Sequence, residues 1–183
     1  MPLTKLDATA ALIVIDLQKG IVGLSTVHPI GEIVSRAAQI ACAFREQGLP
    51  VVLANVSGRA PGRTDAGVPK LSSPPDGTEL VPELDQQPSD YLVTKQRAGA
   101  FSGTSLDENL CQRGVTQVFL TGVATSLGVE LTARSAYDLG YNVVLVVDAM
   151  TDRDADAHLI MHQSVVSKRF FPGWVRRLKP TTC

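Results

Sequence analysis

The chain has 183 residues, of which 44% are hydrophobic and 19% are charged, and its formal net charge is −1. These values are typical of one compact globular domain whose core is large enough to fold unaided. Lysine and arginine are scattered along the chain, which argues against a phosphate-binding surface and so against nucleic acid as a partner. We therefore expect a single domain that spans residues 1–183.

The first residues, MPLTKLDATAALIVID, contain an apolar run of about eight residues, which is too short to span a bilayer. No small-residue cleavage site follows this run, as a secretory signal would require. We expect a cytoplasmic protein with no membrane partner. The three cysteines, Cys42, Cys111 and Cys183, are widely spaced and form no CxxC pair, so they predict no disulfide framework.

Five apolar runs rich in β-branched residues predict strands that are buried on both faces. They are Ala11–Ile15, Pro50–Ala54, Tyr91–Thr94, Gln117–Thr121 and Asn142–Val147. Helical spacing of apolar residues predicts helices over Ile30–Gln47, Ser105–Arg113, Ser126–Leu139 and Ala155–Lys168. Strands that alternate with helices predict a mostly parallel sheet covered on both faces. The segment Ser57–Gln87 is rich in proline and glycine, which is typical of a binding loop or a flexible excursion.

Ligands of an open parallel sheet bind at the carboxyl ends of its strands, so we considered the residue that follows each run. Asp16 follows the first run, Lys95 follows Tyr91–Thr94, and Asp148 follows Asn142–Val147. Each of the three has a structural alternative, because single polar residues at strand ends commonly cap helices or order loops. We expect that role for Asp148.

The segment VFLTGVATSLGVE leads from a strand into a helix with a glycine, Gly128, in its first turn. Glycine costs roughly 1 kcal/mol relative to alanine inside a helix, and it is often used where a group approaches the backbone closely. A carboxylate, an ammonium group and a helix N-terminus therefore meet at one edge of the predicted sheet. This convergence makes the edge the candidate functional site.

Three segments resemble the signature blocks of the isochorismatase-like (cysteine hydrolase) family. They read ALIVIDLQKG, VTKQRAGAFSGTSLDENL and VFLTGVATSLGVELTARSAYDLGYNVVLVVDAMTD, and they follow the family's order and spacing over roughly residues 9–165. The resemblance implies a three-layer α/β/α fold and an active site of Asp, Lys and, in most members, a nucleophilic Cys. Asp16 and Lys95 match the first two positions. The third falls on Gly128, because GVATSLGVE stands where GVATNICVE is usual.

A cysteine at a helix N-terminus beside a lysine would attack a carbonyl as a thiolate, whereas glycine has no side chain to form such an intermediate. Thr125 and Ser126 carry the nearest hydroxyl groups. We expect them to cap free N–H groups of the helix rather than to act as nucleophiles. No motif links the chain's three histidines, His28, His158 and His162, to this site as a base.

Isochorismatases also have glycine at this position, so the resemblance implies hydrolysis without a covalent intermediate. In that reaction Asp16 would protonate the carbon of an enol ether, and Lys95 would align acid and substrate. N–H groups around Gly128 would bind a carboxylate or an oxyanion. We therefore predict a hydrolase that acts on a small anionic molecule.

Two alternatives stay open, because GVATSLG and TKQRAGAFSGTSL resemble the small amidohydrolase type. One is an amidohydrolase-derived protein with altered activity, which uses water or Ser126. The other is a pseudoenzyme that has lost its activity and binds a metabolite or a partner protein.

Further candidate substrate-binding residues are Gln18, Arg97, Phe101, Ala124, Thr125 and Ser126. Arg59, Arg63 and Arg97 are possible carboxylate clamps, and Arg97 is the best placed because it lies two residues beyond Lys95. The zinc site of nicotinamidase-like relatives is not expected, because LANVSGRAPGRTDAG, after the second strand, has no histidine. We expect no other cofactor. The resemblance implies a homodimer or a homotetramer.

Overall fold

The computed structural model describes residues 6–62, 74–166 and 176–177. These residues form a sheet of six strands in the order β3-β2-β1-β4-β5-β6, in which every neighbouring pair is parallel. The strands are β1 (Ala10–Ile15), β2 (Val51–Val56), β3 (Tyr91–Lys95), β4 (Gln117–Val123), β5 (Asn142–Thr151) and β6 (Arg176–Arg177). The predicted parallel sheet is confirmed.

The α-helices of the described residues are α1 (Lys19–Val22), α2 (Ile30–Glu46), α3 (Leu106–Gln112), α4 (Glu130–Asp138) and α5 (Ala155–Val166). A 3₁₀ helix spans Pro82–Leu84, and a π-helical turn, Thr125–Val129, leads directly into α4. The four predicted helices are present, although the end predicted at Lys168 lies outside the described residues. No helix in the described part of the chain has the length and apolar character that a membrane span requires.

Both faces of the sheet are covered, which is the layered arrangement that the sequence predicts. Side chains of β1 alternate, so that Ile13 and Ile15 enter one core cluster and Leu12 and Val14 enter the other. Helix α2 covers the second cluster, whereas α3, α4 and α5 contribute buried residues to the first. Burial of each large aliphatic side chain stabilises the fold by roughly 1.5–3 kcal/mol.

The predicted end of the fifth strand, at Val147, is wrong. The pairing of β4 with β5 shifts register between Leu120 and Gly122, so β5 bulges and continues to Thr151. Asp148 consequently lies inside the strand, where its backbone oxygen accepts a bond of 2.8 Å from Arg36. The carboxylate that follows the strand is that of Asp152.

Part of the predicted loop, residues 63–73, lies outside the described residues. The part from residue 74 onward is attached to the end of β1. The backbone nitrogens of Lys19 and Gly20 donate to the oxygens of Glu79 and Gly77, at 2.9 and 3.0 Å. The ammonium of Lys19 also pairs with Asp76 and Glu79, at 2.9 and 2.6 Å. This part of the loop is thus held to the edge of the sheet that carries Asp16.

Candidate active site

Asp16 directly follows the central strand β1 and has a left-handed backbone conformation, with φ of 54°. Aspartate is one of the few non-glycine residues that adopt this conformation readily. Its backbone nitrogen donates to the oxygen of Ala54 at 2.8 Å, which ties the residue to the end of β2. Asp16 is 6% exposed.

Lys95, the last residue of β3, reaches across to Asp16. Its ammonium nitrogen lies 2.7 Å from Asp16 Oδ2, and the lysine is 1% exposed, so the pair is buried. The same ammonium lies 3.5 Å from the backbone oxygen of Arg97. Among the described residues, the other carboxyl oxygen, Asp16 Oδ1, is buried and has no hydrogen-bond partner. One oxygen is therefore held by the lysine, while the other is buried without a partner among the described residues.

Burial raises the pKa of Asp16 to about 6, against the opposing effect of the Lys95 charge. The carboxyl group is therefore partly protonated near neutral pH, as a general acid must be. When Asp16 is protonated, the charge of Lys95 is no longer balanced by its partner. The site then carries a net positive charge.

Gly128 lies in the π-helical turn against the end of β1. A Cβ atom at this position would lie 3.1 Å from Ile15 Cγ2, 3.2 Å from Asp16 Oδ2 and 3.3 Å from the oxygen of Val123. All three distances are shorter than ordinary carbon contacts. The group that lies close to the backbone of Gly128 is thus part of the protein itself, namely the end of β1. The absence of a side chain at Gly128 lets the acid lie directly against the turn.

Several N–H groups of this turn already have acceptors in the protein. The N–H of Ser126 donates to Asp152 Oδ2 at 2.7 Å, and those of Leu127 and Val129 donate to the oxygen of Ala124 at 3.1 Å. They are not available to a bound anion. A backbone cradle for an oxyanion would have to use other N–H groups, such as that of Gly128.

Capping of the turn by Thr125 and Ser126 was the wrong expectation. The Thr125 hydroxyl donates to the oxygen of Thr151 at 2.9 Å, and the Ser126 side chain hydrogen-bonds Asp152. Asp152 provides the cap instead. Burial opposes ionisation of its carboxyl group, but bonds from Ser126 and from two further N–H groups hold its pKa below the usual value.

His158 also lies at this site, although no sequence motif connects it to the turn. Its Nδ1 atom is 2.9 Å from Thr125 Oγ1. The His28 ring packs edge-on against the His158 ring, with 4.9 Å between centroids. The side chain of His162 lies outside the described residues. The link between His158 and Thr125 spans 33 residues of sequence and has no signal in either local pattern.

Gln18, a candidate substrate-binding residue, uses its amide to bind the backbone. Nε2 donates to the oxygens of Val56 and Gly77, at 3.0 and 2.9 Å, and Oε1 accepts from the nitrogen of Val56 at 2.7 Å. Both amide hydrogens are thereby used. The geometry assigns Gln18 to joining β2 and the loop that contains Gly77.

The remaining candidates are less central. The Arg97 and Arg59 side chains are exposed, Arg63 lies outside the described residues, and Ala124 is half-buried against the cluster under α2. The Phe101 ring stacks on Tyr141 with 5.9 Å between centroids. Contact of Arg97, Phe101 or Ala124 with a substrate stays a prediction.

Thr132 in α4 was missed by the sequence analysis. Its hydroxyl donates to the oxygen of Gly128 at 2.6 Å and accepts from the nitrogen of Ala100 at 3.0 Å. It therefore joins the turn to the segment after β3. In the part of the chain that the structure describes, no group of three or more His, Cys, Asp or Glu residues could hold a metal ion.

Comparison with known proteins identifies the family. The isochorismatase domain model matches residues 10–171. An uncharacterized isochorismatase family protein of Bacillus subtilis, YwoC, is 38% identical over 157 residues, which are 81% of this chain and 80% of the relative. The ureidoacrylate amidohydrolase RutB of Pseudomonas syringae is 27% identical, over 95% of this chain and 82% of that enzyme.

Solved structures agree. An isochorismatase family protein from Burkholderia thailandensis superposes with a TM-score of 0.84 and is 39% identical. The match covers 94% of this chain and 92% of that one. The likeness thus extends over the sheet, its helices and the strand ends that carry Asp16 and Lys95. The chain belongs to the isochorismatase family.

Proposed function

We propose that the protein hydrolyses a small anionic molecule without a covalent intermediate, with Asp16 as the general acid. The observation that carries this proposal is the buried pair of Asp16 and Lys95, in which Oδ2 is bound at 2.7 Å and Oδ1 has no partner among the described residues. A proton on Oδ1 can be given to a substrate. The Lys95 ammonium stabilises the carboxylate that remains.

The charge of the pair supports an anionic substrate. With Asp16 protonated, the buried ammonium lacks a counter-ion, which is unfavourable in a low-dielectric site. A substrate carboxylate supplies the missing charge. Binding of an anion near Asp16 also raises the pKa of the acid, because like charges disfavour ionisation. Anion binding and the acid form of Asp16 therefore reinforce each other.

An enol ether is the substrate type that this chemistry fits best. Asp16 gives its proton to the terminal carbon, which produces an oxocarbenium ion. Water adds to the cationic carbon and returns a proton to the Asp16 carboxylate. The resulting hemiketal breaks its C–O bond and releases an alcohol and a keto acid. Lys95 holds the acid in line and requires no covalent bond to the substrate.

The described residues of the turn include no cysteine, which supports a non-covalent reaction. Gly128, which takes the place of the family's cysteine in our alignment of motifs, has no side chain. The described cysteines, Cys42 and Cys111, are exposed on α2 and α3. Thr125 is fully buried, and its hydroxyl is bound to the protein.

A substrate screen tests the proposal. Isochorismate and other anionic enol ethers are assayed for keto-acid release, and amides and ureido acids are assayed for ammonia. We expect keto-acid release that thiol reagents do not inhibit and that Asp16→Asn abolishes. Asp148→Asn is the matched control, because this aspartate lies in the β5 bulge and should keep full activity. No turnover by wild type would contradict the proposal.

A second candidate is an amidohydrolase-derived protein with altered or lost activity. It is favoured by the likeness to the ureidoacrylate amidohydrolase RutB of Pseudomonas syringae. Ammonia release in the screen would support an altered amidohydrolase. Binding of a screened compound without turnover would support a metabolite-binding pseudoenzyme. We also propose, from the family resemblance, that the protein is cytoplasmic and forms a homodimer or a homotetramer. Light scattering tests the oligomeric state.

A further inference from the structure

The end of β5 holds the turn that carries Gly128. The oxygen of Thr151 accepts the Thr125 hydroxyl at 2.9 Å, and Asp152 Oδ2 accepts the Ser126 N–H at 2.7 Å. These bonds fix the first two residues of the turn. Thr125 is fully buried, so water does not readily replace the Thr151 oxygen as the partner of its hydroxyl group.

The loop before α2 binds the same end of β5 from another side. The N–H of Val27 donates to the oxygen of Asp152 at 2.8 Å, and the N–H of His28 donates to Thr151 Oγ1 at 3.2 Å. The residue pair Thr151 and Asp152 thus has partners on several segments. Its position is well determined without help from a ligand.

The direction of the bond between His158 and Thr125 follows from proton counting. A threonine hydroxyl has one proton, and a carbonyl oxygen can only accept. Because the Thr125 hydroxyl donates to the oxygen of Thr151, it must accept from His158. The tautomer that satisfies both contacts has the proton on His158 Nδ1, which then donates to Thr125.

The backbone of His158 is fixed independently. Asp154 precedes α5, and its carboxylate accepts the N–H of Ala157 at 2.8 Å, while its backbone oxygen accepts the N–H of His158 at 3.0 Å. The imidazole therefore extends from the first turn of a capped helix.

We propose that His158 is a positioning residue, which through Thr125 keeps the turn Thr125–Val129 pressed against the end of β1 and so keeps Gly128 beside Asp16. The chain of contacts runs from His158 Nδ1 to Thr125 Oγ1 at 2.9 Å, and from the turn to the Asp16 carboxyl group. If the turn moves away, water reaches Asp16 and the acid is solvated. The consequence for turnover rests on the proposed function, whereas the consequence for Asp16 does not.

The same contact has a different chemical interpretation, in which His158 is the base that activates Thr125 as a nucleophile. The contacts disfavour it, because the hydroxyl oxygen lies 2.9 Å from the oxygen of Thr151, which can only accept and so competes with the imidazole for the hydroxyl proton. Positioning and nucleophilic catalysis differ in their effect on Asp16. Only positioning changes the solvation of its carboxyl group in the ligand-free protein.

The test is an NMR titration of the Asp16 carboxyl carbon in the ligand-free full chain. His158→Phe keeps a ring but removes the donor, whereas His158→Asn keeps an N–H donor at the place of Nδ1. We expect the Asp16 pKa to fall by roughly one unit in His158→Phe, because burial no longer opposes ionisation as strongly. His158→Asn should titrate like wild type. Thr125→Val also removes the bond to the Thr151 oxygen, so it should lower the Asp16 pKa at least as far as His158→Phe, and the double variant should match Thr125→Val.

Two results would overturn the proposal: an unchanged titration in His158→Phe, or an equal shift in His158→Asn, which would assign the effect to ring packing. Loss of turnover in His158→Phe with an unshifted Asp16 and a covalent ester on Thr125 would replace positioning with nucleophilic catalysis. The titration needs no turnover, so a shift in an inactive protein would support positioning while the proposed function fails. Thermal unfolding of each variant verifies that it is folded.

Discussion

The side chains of Asp16 and Lys95, separated by 79 residues of sequence, form a buried ion pair with 2.7 Å between Oδ2 and Nζ. Two strands, β1 and β3, bring them together across the end of β2. The Asp16 carboxyl group of this pair also lies against the turn of Gly128.

Replacement of Lys95 by methionine should raise the pKa of Asp16 above about 6. The ammonium favours the ionised carboxylate, so its loss leaves burial unopposed. Carbon-13 NMR titration of Asp16 measures the change. Lys19→Met is the matched control, because the Lys19 ammonium pairs with exposed Asp76 and Glu79 and should not affect Asp16. A lower Asp16 pKa in Lys95→Met would refute the assigned roles.

Asp16 should make stability depend on pH in a defined direction. Its pKa rises from 3.8 to about 6 on folding, so the native state binds the extra proton. The stabilisation by this proton is complete at pH values below the pKa of Asp16 in the unfolded chain. It is lost as the pH rises through the pKa of Asp16 in the folded protein. We expect the free energy of unfolding of wild type, relative to Asp16→Asn, to fall by roughly 2 kcal/mol between pH 4 and about 6. Denaturant unfolding at several pH values measures it, and a difference that increases with pH would contradict the prediction.

Gly128→Ala should destabilise the protein. Its methyl group would lie 3.1 Å from Ile15 Cγ2 and 3.2 Å from Asp16 Oδ2, and such overpacking costs about 1–3 kcal/mol. The gain in helix propensity is only about 1 kcal/mol, so the clash should dominate. The control is Gly31→Ala in α2, where a Cβ meets nothing within 4 Å and the variant should be neutral or more stable. Urea unfolding compares them; equal stability changes would show that Gly128 is not closely packed.

Gly122→Ala should prevent folding or nearly so. Gly122 has φ of +114°, and a Cβ would overlap the backbone oxygen of its strand partner Ile15. Gly140→Ala separates strain from the clash, because Gly140 has φ of +93° with nothing within 4 Å. Gly140→Ala should lower the free energy of unfolding by about 1 kcal/mol, because alanine is strained at this positive φ. Soluble yield and thermal unfolding measure both variants, and a stable Gly122→Ala would be inconsistent with the pairing of β1 and β4.

The sequence predicted the strands well because buried parallel strands are near-continuous apolar runs. Asp16 and Lys95 could be placed at one edge of the sheet because the carboxyl ends of parallel strands share that edge. The end of β5 could not be predicted, because Asp148 interrupts the apolar run and so resembles the residue that follows a strand. The bulge that absorbs this residue depends on pairing with β4, which no local pattern encodes.

The residues that support the site were harder to predict. Asp152, Thr132 and His158 each bond a backbone or hydroxyl group that lies 26, 32 and 33 residues away in sequence, and such bonds leave no periodic signal. Gln18 was predicted to contact substrate from its place after β1, and that contact stays a prediction. The loop near Gly77 folds back onto it and binds its amide.

The pH dependence of turnover tests the central claim most directly. If Asp16 is the general acid, kcat/KM on the hydrolysed substrate should fall about tenfold per pH unit above the Asp16 pKa of about 6. In Lys95→Met this descending limb should move to higher pH. A profile that rises through pH 6, or turnover that persists in Asp16→Asn, would contradict the assignment of Asp16 as the acid.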